Sequence, residues 1–396
     1  MFGRRLGIVG LVVVGVVLLV ALGAVGADRE LTATEELGKE IFFDEALSLN
    51  GNQSCASCHD PAVGFTGPDS TINAGGAVYE GSVPGAFGDR KPPSAAYATQ
   101  SPIFYLDKKG TFTGGNFWDG RATGEVLGNP AADQALGPFL NPNEQALSDA
   151  EAVVALVCIS SYADLFKEVW SDDVCDAGNE DEAYGNIGLS IAAYEASPEV
   201  NAFTSKYDLK YKLTKEEKKG KALFQGKAKC SACHPSNGQQ PLFTDFTFDN
   251  LGVPQNPDNP AGGAPAFVDP GLGGFLKTAG YDEEVYEDEW GKHKVPTLRN
   301  VDLRPSDAFV KAYTHNGYFK TLEGIVHFYN TRDTLPVCPG AYTEAQALAY
   351  GDEGCWPEPE VSENVNTDEL GDLGLSVADE EAIVAFLKTL SDGYPP

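Results

Sequence analysis

The sequence contains the pattern Cys-x-x-Cys-His twice, and no other feature restricts the fold as strongly. The first copy runs from Cys55 to His59 and the second from Cys230 to His234. Two thiols on one turn can bond to the two vinyl groups of a haem, and the adjacent imidazole then ligates the iron. A structural zinc site needs four N or S ligands, and a redox Cys-x-x-Cys pair needs no histidine directly after it. The sequence therefore predicts two covalently bound haems c.

The length of the chain predicts one haem in each half. At 396 residues the chain exceeds one ordinary hydrophobic core. We expect an N-terminal domain over residues 28–205 and a C-terminal domain over residues 206–396. Each haem has two predicted attachment thiols and one predicted iron ligand. These residues are Cys55, Cys58 and His59 in the first domain and Cys230, Cys233 and His234 in the second.

Helical signals surround both haem motifs in the same order. A Thr-x-x-Glu capping box precedes an apolar helical stripe at Thr32 and again at Thr214, shortly before each motif. Apolar residues at helical spacing return near Ile187 and Ile383, towards the end of each half. The segments between them are rich in Gly and Pro, which favours loops. The sequence predicts a mainly α fold with two class I cytochrome c-like domains, long Gly/Pro-rich loops and a haem c in each domain.

Residues 1–27 predict export from the cytoplasm. Arg4 and Arg5 precede an uncharged apolar run, and small residues ending at Ala27 suit cleavage before Asp28. The run is longer than a usual signal-peptide core and is long enough to cross a bilayer, so an N-terminal anchor in the inner membrane is the alternative. Both interpretations place the globular part in the periplasm or another extracytoplasmic space.

The four cysteines outside the haem motifs form two local pairs with the same separation of seventeen residues. Short loops favour bonds between Cys158 and Cys175 and between Cys338 and Cys355. Disulfides of this kind imply an oxidising compartment, and four reduced thiols are the alternative. The predicted disulfides agree with the predicted export.

The second axial ligands decide what the haems can do, because a haem with one protein ligand can bind peroxide and a haem with two passes electrons. Met1 is the only methionine, which excludes His/Met ligation at both sites. No histidine lies between the two motif histidines. The first haem is therefore expected to be open on its distal side, unless His293, His315 or His327 reaches it.

Further motifs resemble those of the bacterial di-haem cytochrome c peroxidases and their relative MauG. The motifs are Leu37-Gly38-Lys39, Phe117 to Arg121, Gln134-Ala135, Pro138, Asn141 to Glu144, Val295 to Asn300, His315-Asn316-Gly317 and Phe386-Leu387. The resemblance covers nearly the whole exported chain. It implies an oxidoreductase with two haems c.

The resemblance assigns roles to residues near the first haem. Glu144 resembles the distal carboxylate that moves a proton between the two oxygens of peroxide. Gln134 and Pro138 resemble its neighbours in the distal pocket, and Trp118 resembles the aromatic residue that relays electrons between the haems. By residue type alone, Glu144 would more often be a surface carboxylate and Trp118 a core residue.

The resemblance also assigns Tyr329 as a ligand of the second haem. It lies fourteen residues after His315, where the peroxidases place a ligating methionine and MauG a tyrosine. An anionic phenolate would stabilise the higher oxidation states of iron. His327 is the alternative ligand, and on the predicted helix its side chain points roughly away from that of Tyr329.

Lys91 departs from the family pattern. The family usually holds an interdomain Ca²⁺ partly through an asparagine at this place, and a lysine cannot ligate Ca²⁺. Calcium is therefore an uncertain cofactor. The Lys91 ammonium could occupy the place of the cation, or it could be solvated on the surface.

We interpret the chain as a di-haem c-type peroxidase that reduces hydrogen peroxide with electrons from a small cytochrome c or cupredoxin. One alternative is MauG-like oxidation of Trp or Tyr residues on a partner protein, which Tyr329 favours. A non-enzymatic di-haem electron carrier is a further alternative, disfavoured by the open first haem. The formal net charge of −30 argues against nucleic acid as a partner.

Overall fold

A computed structural model of the protein describes residues 29–261 and 267–395. The predicted export signal or anchor, residues 1–27, lies outside these ranges. Among the helices of the described ranges, none has the length and apolar character needed to cross a membrane.

The fold is mainly α-helical, as the sequence predicts. The helices are α1 (Ala33–Phe43), α2 (Ser70–Ala74), α3 (Pro130–Leu140), α4 (Ala150–Cys158), α5 (Ala163–Val169), α6 (Glu180–Glu195), α7 (Lys215–Gln225), α8 (Gly271–Thr278), α9 (Glu283–Asp288), α10 (Leu322–Thr331), α11 (Glu344–Leu348) and α12 (Val377–Leu387). Four two-residue strands form two antiparallel pairs. These are β1 (Tyr105–Leu106) with β2 (Phe112–Thr113), and β3 (Phe248–Asp249) with β4 (His293–Lys294).

The predicted helix starts are confirmed. Thr32 caps α1 and Thr214 caps α7, and both capping boxes form the two reciprocal hydrogen bonds. A third capping box, from Ser376 and Asp379, begins α12. The segments just after the haem motifs contain only short helices and strands, because Gly and Pro interrupt regular structure there.

Each half of the described chain contains a close crossing of two helices at a glycine. In the first half, α1 packs on α6, and a Cβ at Gly38 would overlap the carbonyl oxygen of Ser190. In the second half, α7 packs on α12, and a Cβ at Gly220 would overlap the carbonyl oxygen of Ala382. Only glycine allows two helix backbones to approach so closely. The two helix pairs are therefore related by the same local packing.

Each of the two helix pairs contributes residues to a large hydrophobic cluster. The buried members of the first lie between Leu37 and Val200, and those of the second lie between Phe224 and Leu390. The predicted disulfides are confirmed, with Cα–Cα distances of 5.8 Å for Cys158 and Cys175 and 5.1 Å for Cys338 and Cys355. Cys158 and Cys175 pack against the first cluster, and Cys338 and Cys355 are buried members of the second.

Candidate active site

A cavity of about 540 Å³ lies beside the first Cys-x-x-Cys-His turn. Its wall contains the motif histidine and all four residues to which the sequence assigned distal or relay roles. These residues are His59, Trp118, Gln134, Pro138 and Glu144. Gln134 and Pro138 are one turn apart on α3 and face the same side. The fold thus brings together residues that are distant in sequence.

The two motif histidines are held in the same way. His59 Nδ1 lies 3.1 Å from the carbonyl oxygen of Phe65, and His234 Nδ1 lies 2.7 Å from that of Phe243. A carbonyl can only accept, so Nδ1 donates and Nε2 remains free to ligate iron. Burial lowers the pKa of both imidazoles, that of His59 to about 4, and keeps them neutral. The four motif cysteines are not disulfide-bonded. Each Cys-x-x-Cys-His motif therefore has the two thiols and the imidazole that haem c requires.

Phe65 and Phe243 orient the histidines, and the sequence interpretation missed them. Both have a positive φ, 58° and 54°, which is unusual for a residue other than Gly and turns the carbonyl towards the imidazole. Each is followed by a threonine, Thr66 or Thr244. Their hydroxyls donate to a carbonyl immediately before a proline, at 2.8 Å and 2.6 Å. The repeated Phe-Thr pair after each haem motif was the available signal.

Glu144 lies in the turn after α3 and faces the first cavity. Its Oε1 accepts a hydrogen bond of 2.7 Å from Asn141 Nδ2. Burial raises the pKa of Glu144, although the Asn141 bond and the charge of Arg121 oppose this effect. Glu144 is thus partly exposed and lines the first cavity.

Trp118 lines both haem cavities. Its indole is buried, and Nε1 donates a hydrogen bond of 2.8 Å to the carbonyl oxygen of Lys91. This bond fixes the ring plane between the two cavities. Trp118 is therefore buried, as its residue type predicts, and it also lies between the two cavities.

The second cavity, of about 220 Å³, is lined by the motif from Cys230 to His234 and by Tyr329 on α10. Burial raises the pKa of Tyr329 above its ordinary value. His327 faces elsewhere, since its Nδ1 lies 3.1 Å from Glu380 Oε1 and its ring is beside Trp356. Of the two candidate ligands, only Tyr329 faces this cavity.

The other two histidines lie together in the wall of the second cavity. The rings of His293 and His315 stack with centroids 3.5 Å apart and an angle of 7°. His293 is 3.2 Å from Asp269, and His315 is 2.9 Å from Glu360. One nitrogen of each histidine and a carboxylate oxygen of Asp269 lie within 4.8 Å of one another, a spacing that could hold a metal ion. Among the described residues, His59 is the only histidine that lines the first cavity.

Lys91 is buried, so its interpretation as a solvated surface lysine is wrong. Its Nζ donates to Thr66 Oγ1 at 2.9 Å and to the carbonyl oxygen of Pro92 at 2.8 Å. Burial lowers its pKa to about 7, and nearby Lys320 contributes in the same direction. The side chain therefore joins the two loops that carry Thr66 and Pro92.

Several known proteins are similar to this chain over most of its length. A family model described as di-haem cytochrome c peroxidase matches residues 32–218. The methylamine utilization protein MauG of Paracoccus denitrificans is 37% identical over 379 residues, which cover 92% of this chain and 89% of that protein. Cytochrome-c peroxidase IdrP2 of a Pseudomonas species is 30% identical over 367 residues, and the match covers 90% of this chain and 80% of that protein. The crystal structure of the diheme peroxidase BthA from Burkholderia thailandensis has a TM-score of 0.76 at 30% identity, and the match covers 92% of this chain and 87% of that chain.

Proposed function

Because this chain belongs to the family of di-haem cytochrome c peroxidases and MauG and is an oxidoreductase, we propose that it reduces hydrogen peroxide with electrons from a small redox protein. The donor class is a cytochrome c or a cupredoxin. One observation carries the proposal: Glu144, Gln134 and His59 line one cavity in which, among the described residues, no second histidine competes with peroxide for the iron.

The family implies two haems c, and we assign one to each half of the chain. Residues 28–205 and 206–396 are the proposed class I cytochrome c-like domains. The repeated glycine crossing and the repeated histidine-to-carbonyl bond support this division. The two disulfides support an oxidising, extracytoplasmic location such as the periplasm, with residues 1–27 as export signal or inner-membrane anchor.

A bound haem supplies the iron that exchanges electrons with peroxide. The protein supplies proton transfer and orientation. Glu144 takes a proton from the peroxide oxygen nearer the iron and returns it to the outer oxygen, so that water can leave as the O–O bond breaks. The hydrogen bond from Asn141 directs its carboxyl group. Gln134 and Pro138 shape the space around the two oxygens.

The second haem and Trp118 connect the peroxide site with the electron donor. His234 and Tyr329 would hold the second haem iron, because both line its cavity and His327 does not. Trp118 contributes to the walls of both cavities and gives a direct route for electrons between them.

Tyr329 also favours a second candidate function, MauG-like oxidation of Trp or Tyr residues on a partner protein. A phenolate ligand would stabilise oxidised iron and so allow the second haem to hold an oxidising equivalent for a slow substrate. A purely electron-carrying role is not supported, because the first cavity combines a proton-transferring carboxyl with an open position.

We further propose that the ammonium of Lys91 replaces calcium. Its bonds to Thr66 and to the carbonyl oxygen of Pro92 join two loops at the place where a cation would otherwise do so.

Steady-state turnover tests the main proposal. Wild-type protein with two covalent haems, verified by mass after acid–acetone extraction, should consume peroxide with a reduced cytochrome c or cupredoxin. The alternative predicts instead a mass change on a candidate partner protein. Glu151→Gln, at an exposed carboxylate on α4, is a matched control for Glu144→Gln. Absence of peroxide consumption with every donor would refute peroxidase function.

A further inference from the structure

One segment of the chain has a charge opposite to that of the rest. Residues 206–229 include α7 and end directly before the second haem motif, and they contain nine lysines and three acidic residues, a formal charge of +6. The whole chain carries −30, so the remaining residues together carry −36. A negatively charged partner would therefore be attracted to this segment and repelled by most of the remaining surface.

Much of this positive charge is exposed and unpaired. Within the described ranges, two of the nine lysines form ion pairs, Lys206 with Glu217 and Lys219 with Asp379. Glu216 is the only exposed acidic residue of this fully described segment. Four lysines outside the ion pairs are exposed on α7 and on the turn before it, and these are Lys210, Lys212, Lys215 and Lys218.

Apolar side chains are exposed beside these lysines. Leu209, Tyr211 and Tyr394 are 44%, 39% and 36% exposed. The ring centroids of Tyr211 and Tyr394 are 5.2 Å apart, and Lys206 Nζ lies 5.8 Å from the centroid of the Tyr394 ring. Protein interfaces commonly combine an apolar, aromatic centre with a polar rim. We call these three residues, with the four exposed lysines and Lys221, the lysine surface.

The lysine surface ends towards α12. Lys227 and Lys229 donate hydrogen bonds to the backbone carbonyl oxygens of Gly374 and Asp368, in the loop before α12. That loop contains several acidic residues, so the charges there are mixed. These two lysines are therefore not part of the lysine surface.

Side-chain contacts connect the lysine surface with the second haem motif. Lys221 Nζ donates to the hydroxyl oxygen of Tyr207 at 3.3 Å. The Tyr207 ring packs edge-on against the ring of Phe243, with centroids 5.4 Å apart. The carbonyl oxygen of Phe243 accepts the 2.7 Å hydrogen bond from His234 Nδ1. Tyr207 and Phe243 thus fill the space between the surface and the proposed iron ligand.

We propose that the lysine surface is the docking site of the electron donor, and that this donor is a small redox protein with an acidic contact face. The inference rests on the proposed function and narrows its donor class. Two reduced donors dock in turn, and each gives one electron and leaves oxidised. The two electrons, with two protons, convert one hydrogen peroxide to two waters as the O–O bond breaks.

The distribution of charge favours an acidic protein over a basic protein or a membrane. A basic donor would be attracted to the −36 carried elsewhere and repelled beside the second haem motif, so most of its encounters would be unproductive. An anionic membrane is wide and would also approach the acidic parts of the chain. A small protein contacts only the lysine surface, and at physiological ionic strength exposed charges more than about 8 Å away are largely screened.

The test uses two double variants of the protein with both haems. Lys212→Glu/Lys218→Glu reverses two exposed charges of the lysine surface. The matched control, Lys108→Glu/Lys109→Glu, reverses two exposed charges on the turn between β1 and β2. The donor is reduced plastocyanin, an acidic cupredoxin, and a basic mitochondrial cytochrome c is the comparison.

We expect wild-type kcat/KM for plastocyanin to exceed that for the basic cytochrome c. It should fall steeply between about 0.01 M and about 0.1 M ionic strength, where the Debye length decreases from about 30 Å to about 10 Å. At low ionic strength the lysine-surface variant should lose about tenfold or more of kcat/KM with little change in kcat, because electrostatic steering mainly affects association. The control variant should keep the wild-type values.

Isothermal titration calorimetry gives a readout that does not depend on turnover. Plastocyanin should bind wild type and the control variant with the same Kd, and the lysine-surface variant about tenfold more weakly or less. A lysine-surface variant with wild-type Kd and kcat/KM for plastocyanin overturns the proposal. If that variant instead loses binding to anionic phospholipid vesicles, or self-association, the surface belongs to a membrane or to a second copy of the chain, and the proposal is also overturned.

The uncharged donor hydroquinone separates this inference from the proposed function. Both variants should consume peroxide with hydroquinone at the wild-type rate. A wild-type protein that consumes peroxide with hydroquinone but prefers the basic cytochrome c to plastocyanin contradicts only the docking site. A wild-type protein that binds plastocyanin at the lysine surface but consumes no peroxide with any donor refutes only the proposed function.

Discussion

Replacing Tyr329 with phenylalanine tests the assignment of the second haem most directly. The hydroxyl group faces the cavity of the second motif, whereas His327 is held by Glu380 on the other side of α10. The substitution removes one oxygen and leaves the ring in place. It therefore removes the proposed ligand atom without leaving a large void in the wall.

The size of the effect follows from the ionisation of the phenol. An ordinary tyrosine has a pKa near 10, so a phenolate at pH 7 needs a shift of about 3 units, or about 4 kcal/mol at ~1.36 kcal/mol per unit. Burial raises the pKa of Tyr329 and adds to this requirement. Only a strong positive charge such as ferric iron can meet it. If this stabilisation belongs to the ferric state alone, its loss raises the midpoint potential of the second haem by roughly 180 mV, at about 59 mV per tenfold change.

Electron paramagnetic resonance and a redox titration of the purified protein measure both consequences. Tyr329→Phe should change the low-spin ferric signal and raise the potential of one haem, and His327→Gln should leave both unchanged. An unchanged signal in Tyr329→Phe together with a changed signal in His327→Gln would show that histidine is the ligand. That result would also remove the main support for MauG-like chemistry.

Three further predictions concern other parts of the structure. Glu144→Gln should retain both haems and slow peroxide consumption by roughly 10² or more, as expected for loss of an acid–base group; an unchanged stopped-flow rate would remove Glu144 from the mechanism. Gly38→Ala and Gly220→Ala should each lower the free energy of unfolding by about 1–3 kcal/mol or more, because the added methyl group overpacks the helix crossing. Gly340 has open space around it, so Gly340→Ala should leave the free energy of unfolding unchanged. Equal melting temperatures for all three variants would contradict the close crossings. Turnover of the wild-type protein should be insensitive to a chelator, whereas turnover of the Lys91→Asn variant should depend on added Ca²⁺. If a chelator lowers the turnover of the wild-type protein, lysine does not replace calcium.

The parts of the fold that depend on local chemistry could be predicted from the sequence. Capping boxes at Thr32 and Thr214 determine where helices begin, because the relevant hydrogen bonds lie within four residues. The disulfide pairs also follow from short loops. The presence of the distal residues in one cavity was predicted through the family resemblance, since nothing local distinguishes Glu144 from other acidic residues.

Features that depend on tertiary packing could not be predicted. The positive φ of Phe65 turns its carbonyl oxygen towards His59 Nδ1, from which it accepts a hydrogen bond, and residue type gives no sign of it. Lys91 and Glu195 belong to residue types that are usually exposed, and only the surrounding loops and helices bury them. Burial of this kind depends on contacts between distant segments, which a pattern in sequence does not report.

The shared walls of the two cavities have a consequence for how the protein matures. The first cavity is lined in part by Phe246, Phe275 and Lys294 from the second half of the chain, and the second cavity by Trp118 and Lys91 from the first half. The first cavity therefore needs residues as far along the chain as Thr297, and the second needs residues as far as Leu387. Because each half of the chain completes the cavity of the other, we expect that covalent attachment of the haems comes before the two pockets are complete.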